Sequence, residues 1–327
     1  MSDLFLNDYA KEDVEKVPTR KGFGEGLKKA GEISEEVVAL CADLTESTQM
    51  HLFKEAFPDR FFEVGVAEQN LVTVGSGLAA MGKIPFVSSY AAFSPGRNWE
   101  QIRTTIALND RPVKIVGSHA GLYTGADGAT HQMLEDLALM RVMPNMVVVV
   151  PGDSIEAQKA TLALAKDSRP AYLRLAREAT PVVTTEITPF EIGKAYLMRE
   201  GGALSIISTG TMTYKALMAA RQLANDGIEV DVLHVPTIKP LDAVAIIKTA
   251  SKTGVVITIE EAQINGGLGG AVSELLAEHK PTHVFRMGMN DHFGESGTPE
   301  ELFEQFGLSI KHIVLKAHAV LSELKKQ

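Results

Sequence analysis

The stretch from Ser118 to Gln132, SHAGLYTGADGATHQ, gathers two histidines and an aspartate on one glycine-rich segment. His119, Asp127 and His131 are residue types that hydrogen-bond a polar substrate and move protons. The glycines between them allow positive φ and a close approach of backbone to ligand. Packing alone does not account for such a loop. Metal ligation is the competing reading, but the spacing of His119, Asp127 and His131 fits no standard zinc pattern, so proton transfer and hydrogen bonding are favoured. A second candidate is Glu68 in the run FFEVGVAEQN that begins at Phe61. Its plain reading is a first-turn carboxylate facing the helix dipole. Its functional reading is an acid at the carboxyl end of a parallel strand, where ligands of open α/β sheets bind. A third is Tyr90 with Phe93 in YAAFSPGR, either core aromatics or a stacking platform for a flat heterocycle. A fourth is dispersed: Arg20, Ser47, His119 and Arg177. The planar guanidinium fork suits phosphate, although each of these residues taken singly reads as a surface cation or a cap.

Short apolar runs alternate with helical patterns and must position these groups. Strands are expected at Val37–Cys41, Phe61–Val64, Ile84–Ser89, Val113–Ser118, Met146–Val150 and Ala171–Leu175, continuous in apolar character as in a buried parallel sheet. Helices are expected at Glu68–Met81, Asn98–Leu108, Gln132–Met140 (with Thr130 as its N-cap) and Ser154–Ala165. On this pattern Arg20 precedes a helix, Ser47 follows the first strand and Arg177 ends the last one, so all could reach one sheet edge. The order implies an α/β fold with a doubly wound, mostly parallel sheet. The segment ATPVVTTEITPFEI, with two prolines and no helical period, reads as an interdomain linker. A second, smaller α/β series follows, with strands at Leu204–Ser208, Val230–Val235, Val255–Glu260 and Val284–Met287 and helices between them and in the tail. Asn265–Gly270 (NGGLGG) imitates a dinucleotide fingerprint but has Val272 where the last glycine is required, so it reads as close backbone packing.

Composition narrows the classes. The 327 residues suggest two domains, and 45% hydrophobic content supplies ample core. A net charge of −9 lowers the weight of nucleic-acid binding, and a single cysteine, Cys41, forms no internal disulfide. The acidic N-terminus lacks a signal-peptide pattern, and no apolar run has the length of a membrane span. The expectation is a soluble cytoplasmic protein.

Taken together, the segments resemble the second half of transketolase from about Arg20 to the C-terminus. Gly65-Val-Ala-Glu68-Gln resembles the family's glycine-x-x-glutamate-histidine site, and Gly125-Ala-Asp127-Gly-Ala-Thr130-His131-Gln132 its G-E-D-G-P-T-H-Q. Leu175-Ala-Arg177-Glu resembles L-S-R-Q, Thr19-Arg20-Lys21 resembles S-R-K, and Ala42-Asp43-Leu44 followed by Ser47 resembles A-D-L…S. The run from Phe293 to Leu308, FGESGTPEELFEQFGL, is also similar to the family's C-terminal domain.

The resemblance implies a thiamine diphosphate pyrimidine-binding domain over residues 1–180, a linker over 181–192 and a transketolase C-terminal domain over 193–327. Transketolases are about twice this length, and their first half binds the diphosphate through Mg2+ (or Ca2+) with a G-D-G motif. That motif does not occur here; Ala126-Asp127-Gly128 belongs to the substrate loop. The implied protein is one subunit of a split transketolase. It would need an N-terminal-half partner, form an α2β2 assembly, bind no metal through its own residues, and move a two-carbon ketol unit between sugar phosphates. Carried over, Glu68 would bond the aminopyrimidine ring nitrogen, Phe93 and Tyr90 would pack on the pyrimidine, and Asp43 would lie beside the cofactor at the subunit contact. Asp127 and His131 would bind the sugar near the reacting carbons, and Arg20, Ser47, His119 and Arg177 would hold its phosphate. Two positions depart from the family: Gln69 replaces a histidine, and Ser94-Pro95-Gly96-Arg97 stands where a tyrosine usually lines the pyrimidine pocket. The alternatives are a 1-deoxyxylulose-5-phosphate synthase-like subunit, a 2-oxoacid dehydrogenase beta-like subunit and a non-catalytic regulatory relative.

Overall fold

The computed structural model describes residue 6 and residues 8–324. The strands, in chain order, are β1 (Lys16–Val17), β2 (Val37–Cys41), β3 (Phe61–Glu63), β4 (Ile84–Tyr90), β5 (Lys114–Ser118), β6 (Val147–Val149), β7 (Ala171–Arg174), β8 (Thr180–Pro181), β9 (Tyr196–Arg199), β10 (Ser205–Ser208), β11 (Asp231–His234), β12 (Thr237–Lys239), β13 (Val255–Gln263) and β14 (His283–Met289). Seven of them form one sheet in the order β12-β6-β7-β5-β4-β2-β3, parallel except for β12. Within β2, Val38 and Leu40 enter one core cluster while Val37, Ala39 and Cys41 enter another. Both faces are therefore covered, which is why the strand is apolar throughout.

Helices Thr19–Ile33 and Ser154–Lys166 cover one face. Their contact is close because Gly22 carries no side chain: a Cβ there would collide with the Ser154 carbonyl. The Glu68–Ala80 helix, the Trp99–Gln101 turn with its π-helical continuation Ile102–Ala107, and the short Asp136–Arg141 helix cover the other face. Asp153 caps the Ser154–Lys166 helix by accepting from the Glu156 N–H at 2.9 Å.

The second sheet has the order β14-β13-β10-β11-β9, parallel apart from β9. It does not stand apart from the first. β12 belongs by sequence to the second series yet pairs antiparallel with β6, Thr237 opposite Val149. One core cluster runs from Leu40, Val87 and Ile115 through to Ile207, Leu233 and Val256. His234 Nε2 lies 2.7 Å from Glu156 Oε2 across the junction, both groups fully buried.

Local details refine several expectations. The proline-containing segment after Ala179, expected to be an interdomain linker, is packed against the first series at its start. Thr180–Pro181 pairs with Lys16–Val17, and Asp153 Oδ2 accepts from the Val183 and Thr184 N–H groups at 2.8 and 2.6 Å. Its prolines preclude a helix, not packing. The helix expected after Arg20 begins slightly earlier, so that Arg20 is the second residue of Thr19–Ile33. The Gln132–Met140 helix begins only at Asp136, because Met133 bridges to Ala120 and its carbonyl accepts from the Gly121 N–H. Thr130 caps nothing and instead bonds the His131 ring. The NGGLGG run does pack closely. Its following helix Leu268–His279 offers the Leu268 and Gly269 N–H groups to buried Glu260 at 2.8 Å each, and a Cβ on Gly267 would strike that carboxylate.

Candidate active site

β2, β3, β4, β5 and β7 run parallel, so their carboxyl ends share one sheet edge. The chain leaves β3 through Gly65, at φ +71°, and enters the helix at Glu68. Glu63 fixes this turn: one oxygen accepts from the Gly65 and Asp43 N–H groups at 3.1 and 2.7 Å, the other from Thr45 Oγ1 at 3.0 Å. Glu68 is only 2% exposed. Arg97 Nη1 donates to Glu68 Oε2 at 2.8 Å, and the Arg97 guanidinium carbon lies 4.9 Å from the centre of the Phe93 ring. Asn98, buried beneath, donates to the Glu68 carbonyl at 2.8 Å and to Ser94 Oγ at 3.1 Å.

A cluster of rings follows. Tyr90 ends β4 and stacks on His119 with centroids 3.8 Å apart, while its hydroxyl donates to Ser47 Oγ at 3.0 Å. Phe93 lies 6.2 Å from Tyr90 in a stacked arrangement. His131 meets Phe93 and Tyr90 edge-on at 5.5 and 6.0 Å, its Nδ1 fixed 2.9 Å from Thr130 Oγ1.

Beyond the rings lie two guanidinium groups. Arg20 donates from Nε to the Arg177 carbonyl at 3.0 Å and from Nη1 to the Ser47 carbonyl at 2.5 Å. Arg177 Nη1 donates to the Thr124 carbonyl at 3.0 Å and lies 3.4 Å from Asp127 Oδ1 and 3.5 Å from Glu178 Oε1. A guanidinium has five N–H donors, so each keeps donors beyond these bonds. Burial, and secondarily the charge of Arg177, pulls Arg20 below the ordinary arginine value. His119 behaves differently from the arginines. It is 1% exposed at φ +57°, with Nδ1 2.8 Å from Ser118 Oγ. Burial first, then Arg20, Arg177 and His131, pushes its pKa down to about 3. His119 therefore enters the site as a neutral hydrogen-bonding group, not as a cation.

Contacts thus run without a break from Glu68 through Arg97, Phe93, the Tyr90–His119–His131 rings and Ser47 to Arg20, Arg177 and Asp127. Asp43 is the exception among the residues singled out from sequence. It is exposed at φ +60°, held by Glu63, and makes no described contact with the others. Gln69 is exposed beside Glu68. Two supports of the loop were not anticipated. Gln132 Nε2 donates to the Gly125 carbonyl at 2.8 Å and to the Glu295 carbonyl at 2.9 Å. Glu261, within buried β13, accepts from the Tyr123 N–H at 3.2 Å and from Thr211 Oγ1 at 2.6 Å. The available signal for Glu261 was the carboxylate pair Glu260–Glu261 inside an apolar run. Among the described residues, no group of three or more His, Cys, Asp or Glu side chains is placed to hold a metal ion, and no helix is long and apolar enough to cross a membrane.

Comparison with known proteins gives a consistent picture. Residues 15–182 match the transketolase pyrimidine binding domain, and residues 193–313 match the transketolase C-terminal domain. A chain described as a transketolase C-terminal section, from Methanocaldococcus jannaschii, is 42% identical over 94% of this chain and 96% of its own length. The 6-deoxy-6-sulfo-D-fructose transketolase subunit of a Clostridium species is 43% identical over 92% of this chain and 94% of its own. The solved structure of a split gene transketolase, an inactive beta4 tetramer, superposes with a TM-score of 0.88 at 42% identity, covering 94% of this chain and 99% of that one.

Proposed function

Because the chain belongs to the transketolase family and matches split-type relatives along nearly their whole length, we propose that it is the pyrimidine-side subunit of a two-chain transketolase. The reaction is reversible transfer of a two-carbon ketol unit from a ketose to an aldose, both carrying a terminal tetrahedral anion. The observation that carries this reading is the unbroken line of contacts from a buried carboxylate, past aromatic faces and two histidines, to a pair of arginines.

Thiamine diphosphate, on which the family depends, would supply the stabilised carbanion when bound. Its diphosphate and Mg2+ (or Ca2+) are assigned to an N-terminal-half partner carrying the G-D-G motif. The residues of this chain fit the other end of that cofactor: a carboxyl group buried beside a half-buried phenyl ring suits a flat heterocycle with a ring nitrogen. Glu68 holds and shares a proton at that nitrogen. Phe93 and Tyr90 orient the ring by their faces. His131 and Asp127 bond sugar hydroxyls near the reacting carbons, and His131 is turned for this by Thr130. At the far end Arg20, Arg177, Ser47 and neutral His119 fix the anionic tail. Binding there is remote from the bond that breaks, so it can be converted into positioning at the reacting carbon. The tail is a phosphate or a sulfonate, the second supported by the Clostridium relative, which is named for a sulfo-sugar.

Reconstitution tests the reading. Turnover of xylulose 5-phosphate with ribose 5-phosphate, and of 6-deoxy-6-sulfofructose, is measured with this chain, with a G-D-G-containing half-length chain, and with both. Activity is expected only from the mixture, as an α2β2 species by light scattering. Full activity from this chain alone would sink the two-chain assignment.

A further inference from the structure

One side chain in the line of contacts, Arg97, links Glu68 to Phe93 but is given no part in the chemistry above. Arg97 stands on the turn where the sequence departs from the family, and it covers the two surfaces that a flat heterocycle needs. Its Nη1 takes a Glu68 oxygen at 2.8 Å, and its guanidinium carbon stands 4.9 Å from the centre of the Phe93 ring. The asymmetry of the pair is informative: the Glu68 side chain is 2% exposed and that of Arg97 50% exposed. A buried carboxylate without a counter-charge is unstable, and Arg97 supplies that counter-charge. A heterocycle that claims Glu68 Oε2 and the phenyl face beneath the guanidinium requires Arg97 to leave. Leaving is easy for Arg97, because half of its side chain already faces water. The backbone need not follow, since buried Asn98 ties the turn to the Glu68 carbonyl and to Ser94 Oγ.

We propose that Arg97 is a placeholder, which closes the pyrimidine site of the cofactor-free protein and competes with the incoming heterocycle for Glu68 and Phe93. The proposal rests on the functional reading of those two residues as pyrimidine contacts. Arg97 is then a residue that sets cofactor affinity rather than one that contributes to the reaction.

The test is a titration of thiamine diphosphate into the complex of this chain with its N-terminal-half partner, by calorimetry and by the fluorescence of Trp99, the single tryptophan of this chain, two residues from Arg97. Wild type, Arg97→Gln and Arg97→Lys are compared, with circular dichroism as the control for folding. Arg97→Gln is expected to bind roughly tenfold more tightly, the low end of the roughly 10- to 150-fold worth of a hydrogen bond to a charged group, because glutamine can still bond Glu68. Arg97→Lys, which keeps the charge but not the fork, is expected to fall between, and kcat at saturating cofactor is not expected to rise with affinity. Weaker or unchanged binding by folded Arg97→Gln would overturn the proposal and make Arg97 a fixed wall of the site. No binding by the wild-type complex would overturn the functional reading and this proposal with it.

Discussion

Tyr90 and His119 lie face to face, ring centroids 3.8 Å apart and planes 26° from parallel, and the tyrosine hydroxyl reaches on to Ser47 Oγ. The stack seals an imidazole beside Arg20 and Arg177, and its pKa falls from 6.5 to about 3. Between those two values the unfolded chain holds a proton that the folded chain does not. The stabilisation is therefore complete above 6.5 and is lost as the pH falls toward 3. Replacing His119 by Asn removes the titration. Urea midpoints from pH 4 to 7 are expected to fall less steeply toward acid for the variant than for wild type. Glu260, pushed by burial from 4.5 up to about 7, acts in the opposite sense, its stabilisation being lost as the pH rises through that range. Both proteins share it, so it cancels in the comparison. Parallel curves would mean that His119 titrates near its ordinary value.

Arg177 provides the test of substrate charge. Arg177→Ala is expected to lower kcat/KM for a phosphorylated or sulfonated sugar by roughly 10- to 150-fold, the worth of one hydrogen bond to a charged group. With hydroxypyruvate as donor and an uncharged acceptor the loss is expected to be much smaller. Equal losses would make Arg177 a structural residue, which its bond to the Thr124 carbonyl allows.

Glu68→Gln preserves shape and burial but not the shared proton. Exchange of the cofactor C2 proton in the assembled complex, followed by NMR, is expected to slow by roughly 10²- to 10⁴-fold. Assembly and far-UV circular dichroism are expected to be unchanged. Exchange at the wild-type rate would reduce Glu68 to a carboxylate at a helix start.

Gln132 joins the loop to the second sheet's section, with one amide nitrogen shared between the Gly125 and Glu295 carbonyls. Gln132→Ala leaves both acceptors without this donor and is expected to cost about 1–3 kcal/mol of stability. A raised KM for the sugar at constant cofactor affinity would show that the loop carrying Asp127 and His131 has loosened. A variant with wild-type KM and stability would show that the backbone bonds of the loop suffice.

The parallel sheet was legible because buried strands leave long apolar runs, and strands such as Val37–Cys41 were bounded to the residue. The loop with His119, Asp127 and His131 was legible because that many polar groups among glycines have no packing explanation. Other features depended on partners far along the chain. The strand Thr237–Lys239 is three residues long and is defined only by β6 across the molecule. The Thr19–Ile33 helix is built with Gly22, Gly24, Gly26 and Gly31, poor helix formers kept where close packing of neighbouring elements requires them. Arg97 was visible as a residue, but its contact with Glu68 spans 29 positions and no periodicity reports it. The neutrality of His119 is likewise a property of its surroundings rather than of its type.

The short strand β12 has a consequence for dissecting the protein. It is contributed by the second series of elements and completes the hydrogen-bonding edge of β6 in the first sheet. A fragment ending after the pyrimidine-binding match would present β6 as an unpaired apolar edge, a template for intermolecular strand addition. The two matched domains are thus expected not to fold as separate units. Truncation at their boundary is expected to yield aggregates by size-exclusion chromatography, where the full chain remains dispersed.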